Sequence, residues 1–196
     1  MNKNNGLKNI VLWIVSIIIG FLCYRFIGLQ IIDRIYNINN VYKGLFLCFC
    51  HIDLVYILLK CMFKIKLSYL EKMITMLMYF ILMSLCFFDR INIGERIISL
   101  DPFAFIDSAY NDSVVLLFLN IAVFIPFYTV VKWLKQNLND RMIFILFILC
   151  ALSAEVLQCV TMRGMLDLAD IILYTLGYGA GCLAYKTVMK FVKGSE

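Results

Sequence analysis

Proline, histidine and charge are all scarce in this chain. Two prolines in 196 residues leave few points at which a helix must break. Charged residues make up 16% of the chain, against about 25% in soluble domains. No hydrophilic stretch is long enough to fold as a separate soluble domain. A single histidine, His51, excludes a multi-histidine metal site and reads as a satisfied core residue. The eight cysteines (Cys23, Cys48, Cys50, Cys61, Cys86, Cys150, Cys159 and Cys182) form no C-x-x-C pair. No Cys/His spacing matches a zinc site. The cysteines therefore read as small buried hydrophobes, and no metal site is assigned. Low-complexity tracts and clear internal repeats are also missing.

Apolar residues are abundant instead, at 63% of the chain with a mean hydropathy of +0.90. Apolar windows recur at the length of about 20 residues that a helix needs to cross a bilayer. Six such spans fit, near Ile10–Ile32, Lys43–Met62, Leu67–Phe88, Val114–Leu134, Met142–Val160 and Asp170–Phe191. The expected architecture is an all-α polytopic membrane helical bundle of one domain. The first apolar run continues from Ile10 to Ile32 without a small-residue cleavage site. It reads as a retained span rather than a signal peptide. The third span is the least regular, with Glu71 and Lys72 in its first turn.

Cations are distributed unequally between the two ends of the spans. Of the 18, twelve fall on one side: Lys3, Lys8, Lys60, Lys64, Lys66, Lys72, Lys132, Lys135, Arg141, Lys186, Lys190 and Lys193. Five fall on the other side (Arg34, Lys43, Arg90, Arg96 and Arg163), and Arg25 lies within the first span. The positive-inside rule then places both termini in the cytoplasm. Anionic lipid headgroups account for the basic balance of +5, so nucleic acid is not an expected partner. The 89–113 loop, facing outward in this topology, has an apolar core from Ile97 to Ile106. It reads as an interfacial or partly re-entrant segment, which must be covered by protein or reach water.

The informative polar residues concentrate in the last two spans. Glu155 and Gln158 are three apart, so they share a helix face in the outer third of span five. A short turn with Arg163 follows, then Asp167 and Asp170, again three apart, with Tyr174 one turn deeper. Arg163 suits a cap on the fifth helix. Asp167 or Asp170 suits an N-cap on the sixth. Capping leaves Glu155 and Gln158 unexplained, and an ionisable group inside a span points to function. In span four, Asn120 lies two turns inside, near the depth of Glu155, and Pro126 is expected to kink the helix. Gly177 and Gly181 form a G-x-x-x-G, expected to pack within the bundle, with dimerisation as the alternative. Arg25 and Asp53 are expected to form a buried pair.

The C-terminal half resembles the VanZ-like membrane proteins of bacteria. The resemblance rests on an ordered set of short motifs over roughly residues 95–185. These are Leu100-Asp101-Pro102-Phe103; Asn120, Phe124 and Pro126; Glu155-Val156-Leu157-Gln158; and Arg163, Asp167, Asp170, Thr175 and Gly177. Departures are Asp101 for a common Asn, Tyr128 for a Gly, and Tyr174 for an Asn before Thr175. The resemblance divides the chain into N-terminal membrane helices (1–88) and a VanZ-like region (89–196). It implies a link to resistance against teicoplanin, a lipoglycopeptide acting at the outer face of the membrane.

Three functions fit these residues. In the first, an outward-facing pocket binds an envelope lipid, a lipid-linked cell-wall precursor or an amphiphilic antibiotic. Arg163 would grip phosphate or carboxylate in a bidentate way. Asp101, Asn120, Glu155, Gln158, Asp167, Asp170 and Tyr174 would shape the rest of the site. In the second, a membrane enzyme acts on a lipid-linked phosphate, with paired carboxylates holding Mg²⁺ and Glu155 as acid or base. No phosphatase signature or nucleophile accompanies that reading, and no cofactor is assigned. In the third, Arg25, Asp53 and Glu155 relay protons in a transporter, a reading weakened by the missing repeat.

Overall fold

The computed structural model describes residues 3–29, 41–89, 92–106 and 114–193. Helix α1 (Lys3–Cys23) runs into a π-turn at Tyr24–Gly28. Then come α2 (Val41–Met62), α3 (Tyr69–Phe88) and a two-residue strand β1 (Ile98–Ser99). The chain continues through α4 (Val114–Phe124), α5 (Phe127–Leu134), α6 (Asp140–Val160), β2 (Leu166–Asp167) and α7 (Leu168–Lys193). Among the described residues, six helical segments are long and apolar enough to cross a membrane, with α4 and α5 counted as one. The protein is a multi-pass membrane protein. Its residues group into two compact units, Met1–Met78 and Tyr79–Glu196, with the boundary inside α3.

In the first unit, small residues let α1 lie close to α2. A Cβ on Gly20 would collide with the Ile52 backbone, and one on Gly28 would meet the His51 ring at 3.0 Å. Close backbone approach of this kind drives helix association where lipid removes the hydrophobic effect. His51 is satisfied as expected, with Nδ1 2.7 Å from the Leu47 carbonyl. Arg25 does not pair with Asp53. The wide π-turn leaves Arg25 exposed, and Asp53 accepts instead from the Thr75 hydroxyl of α3 at 2.8 Å.

The start of α3 explains the charges that looked out of place in the third span. Ser68 and Glu71 form a capping box. The Ser68 N–H donates to Glu71 Oε2 at 2.6 Å, and the Glu71 N–H donates to Ser68 Oγ at 3.3 Å. Glu71 also receives Lys60 Nζ at 2.6 Å and the Tyr56 hydroxyl at 2.6 Å. Lys60 is 1% exposed, a burial a lysine sustains only with an ionic partner.

The second unit is held by rings and glycines. Phe124 and Phe147 are fully buried with centroids 5.2 Å apart, and Phe147 stacks on Tyr178 at 4.5 Å. Pro126 ends α4, because it lacks the N–H that would bond the Ala122 carbonyl. The Ile125 N–H takes that carbonyl at 3.2 Å, and helix resumes at Phe127. The kink leaves two carbonyls facing α7. A Cβ on Gly177 would collide with the Ile121 carbonyl, and one on Gly181 with the Ile125 carbonyl. The G-x-x-x-G therefore packs α7 on α4 within the chain. At the far end of this unit, Asp140 accepts from the Tyr128 hydroxyl at 2.6 Å and from Lys186 Nζ at 2.8 Å. Tyr128, one of the departures from the family pattern, thus closes a polar knot. The cysteines are all free thiols.

Candidate functional site

The site is built where α6 ends and α7 begins. Ala151, Ala154, Glu155 and Gln158 form one buried face of α6, and the two alanines admit close neighbours. Glu155 and Gln158 are each 0% exposed. Helix α6 then ends in a Schellman motif. The Arg163 N–H reaches back to the Gln158 carbonyl at 3.0 Å, and the Met162 N–H to the Cys159 carbonyl at 3.1 Å. Met162 takes the left-handed conformation this motif needs, at φ 55°. It does so without glycine, at a cost of about 1–2 kcal/mol.

The following turn is pinned to the 92–106 segment. β1 and β2 pair in parallel, Ile98 with Leu166 and Ser99 with Asp167. The Ile93 N–H donates to the Met162 carbonyl at 2.8 Å. Of the two candidate caps, Asp167 and not Asp170 caps α7, accepting from the Ala169 N–H at 3.0 Å.

Glu155 is the centre of the arrangement. Its Oε1 accepts from the Tyr174 hydroxyl at 2.6 Å, and its Oε2 accepts from the Asp167 N–H at 2.9 Å. One carboxyl group therefore ties α6 to both the capping residue and the second turn of α7. Tyr174 is fully buried, 4.7 Å from Phe124 and edge-on to Phe87 at 5.7 Å. This is the position where the family pattern has Asn. One turn before Tyr174, Asp170 accepts from Asn120 Nδ2 at 2.5 Å, joining α7 to α4.

Gln158 and Arg163 both reach the end of α3. Gln158 Nε2 donates to the Phe87 carbonyl at 3.2 Å, and Arg163 Nη1 to the Phe88 carbonyl at 2.8 Å. These are last-turn carbonyls with no partner inside their own helix. Arg163 thus caps α3 rather than α6, whose end the Schellman motif already satisfies. The Gln158 Oε1 is buried and has no hydrogen-bond partner among the described residues. The turn passes close to it, since a Cβ on Gly164 would come 3.0 Å from that oxygen.

Asp101 stands apart from this group. It is exposed, and its carboxylate closes its own turn by accepting from the Phe103 N–H at 2.9 Å. Asn serves that turn equally well. The structure therefore joins Glu155, Tyr174 and Asp167 in one cluster and Asn120 with Asp170 in a second. Gln158 and Arg163 meet at the end of α3, and Asp101 lies two residues beyond β1. The Phe87 and Phe88 carbonyls carry no sequence signal, because any residue supplies a carbonyl. Among the described residues, no group of three or more His, Cys, Asp and Glu side chains is placed to hold a metal ion.

No curated protein and no solved structure matches this chain. A family model does, over residues 73–190, which takes in most of α3, the 89–113 loop and every residue of the site, and leaves α1 and α2 outside. That match covers well over half of the 196 residues, and the chain belongs to the VanZ/LLP1 family.

Proposed function

We propose that this protein binds the polar headgroup of a membrane amphiphile at the α6–α7 turn. The amphiphile is an envelope lipid, a lipid-linked cell-wall precursor or a lipoglycopeptide such as teicoplanin. One observation carries the reading. Beside the locked Glu155, the fully buried Gln158 keeps a carbonyl oxygen that meets no donor among the described residues. An unmet buried acceptor costs about 1–3 kcal/mol, so a donor on a ligand is its natural complement. The exposed Arg163 beside it suits a phosphate or carboxylate.

The orientation belongs to the same proposal. The cation bias puts the termini in the cytoplasm of a bacterial cell and the turn at the outer face. Cysteine placed at position 101 of a chain lacking native cysteines is then labelled by an impermeant maleimide in intact cells. Cysteine at position 135 is not. Labelling only at position 135 would reverse the topology.

The function is tested on the purified protein in vesicles containing a lipid-linked phosphate, with and without teicoplanin. Saturable binding without phosphate release, weakened at least tenfold by Arg163→Ala, is the expected result. Release of phosphate with Mg²⁺, abolished by Glu155→Gln, would replace the binding role with an enzymatic one. No saturable binding of either compound would end the proposal.

A further inference from the structure

Once Lys60 has paired with Glu71, two opposite charges remain inside the spans of the first unit. Arg25 lies in the π-turn of the first span, exposed, and makes no hydrogen bond or ion pair among the described residues. Such turns are rare and often mark functional positions. Asp53 is half-buried near the middle of α2. Its Oδ2 accepts from the Thr75 hydroxyl at 2.8 Å, a partner that brings no charge. Its Oδ1 has no partner among the described residues and is not sealed from its surroundings. Charges within a bilayer are costly, and they pair with one another or reach water. Within the chain these two do not meet.

Their depths nevertheless match. Gly20 against Ile52 and Trp13 against Tyr56 set α1 and α2 antiparallel. Arg25 lies five residues beyond Gly20, and Asp53 one residue beyond Ile52 in the opposite direction. The two Cα atoms are therefore about 9 Å apart along the helix axes. In each helix the Cα–Cβ bond tilts toward the N-terminus. Because the helices are antiparallel, the long arginine and the short aspartate lean toward each other's depth.

We propose that this protein forms a twofold dimer through α1 and α2, in which Arg25 of each copy pairs with Asp53 of the other. A rotation axis along the membrane normal keeps each residue at one depth in both copies, so the pair forms twice. The Asp53 Oδ1 takes the guanidinium while Oδ2 keeps the Thr75 hydroxyl. One turn from each charge, Phe21 on α1 and Phe49 on α2 are exposed and offer apolar surface to the facing helix. The partner is a second copy because one chain supplies both charges, equal in number, opposite in sign and near in depth. Helices α1 and α2 lie outside the family region of residues 73–190, and the dimer contact gives these added spans a role.

The test uses the full chain without its native cysteines, expressed in two tagged forms in the same cells. One form carries Arg25→Cys and the other Asp53→Cys. Oxidation in the membrane is expected to link the two forms through positions 25 and 53, while the reciprocal Arg25–Asp53 pair of the same dimer stays intact. Met62→Cys in place of Asp53→Cys, about 13 Å further along α2, should link at least fivefold less. Energy transfer between differently labelled copies in vesicles then reads the strength of the dimer. Arg25→Gln and Asp53→Asn, which remove one charge each, should both weaken it at least tenfold with helical content unchanged. A link at positions 25 and 53 no greater than the Met62→Cys control would overturn the proposal. So would a parent protein that shows no energy transfer, with Arg25 extended to the headgroups at its own end of the span, or neutral variants that associate as strongly as the parent.

Discussion

Two glutamates, Glu71 half-buried and Glu155 fully buried, are handled differently in the two units. In Met1–Met78, Glu71 is matched by the opposite charge of Lys60, by Tyr56 and by both halves of a capping box. Every polar group of that cluster has a role in joining α2 to α3. In Tyr79–Glu196, Glu155 is grasped by a phenol and a backbone amide, and its helical neighbour Gln158 keeps one oxygen unmet. A polar cluster that exists for stability can be complete in itself. One that leaves an acceptor open at full burial is where the proposed ligand would meet the chain.

Stability measurements on purified protein in detergent sharpen the contrast. The largest effect belongs to Lys60→Met, which strands a carboxylate whose side chain is only 22% exposed. A loss of about 3 kcal/mol is expected, the lower end for a broken buried pair. Adding Glu71→Gln should recover more than half of it, and a failure to recover would mean that packing rather than charge joins α2 to α3. Glu155→Leu comes next, at about 2 kcal/mol, because it orphans the Tyr174 hydroxyl and the Asp167 N–H together. A loss below about 0.5 kcal/mol would detach Glu155 from the structure of the α6–α7 turn. Tyr174→Phe removes a single bond and should cost about 1 kcal/mol, the scale of interhelical hydrogen bonds in membranes. Gln158→Leu should cost least, about 0.5 kcal/mol, since it loses one long bond and also removes the unmet oxygen.

The sequence shows the helices clearly because apolar length is a one-dimensional signal. All six spans are present, within a few residues of the expected ends. The helix start at Asp167, the kink at Pro126 and the glycine face of α7 were also readable, since each depends on local residue chemistry. Partner choice was less so. Asp53 turned to Thr75 and Arg163 turned to α3, because a long or mid-helix side chain selects its partner only after the helices have packed. The ladder of Glu155 to Tyr174 joins residues 19 apart, and only the hairpin of α6 and α7 brings them into register. The Glu71 capping box was a missed local signal. Ser68 three residues before Glu71 announces it, at the entry to a long apolar run.

The central claim is that Gln158 is open for a ligand rather than for the fold. The direct measurement is affinity for the lipid-linked phosphate and for teicoplanin in Gln158→Leu, alongside its thermal unfolding midpoint. The account predicts at least a tenfold loss of affinity with a midpoint within about 2 °C of the parent protein. Unchanged affinity for both compounds, or a loss of stability as large as that of Glu155→Leu, would contradict it.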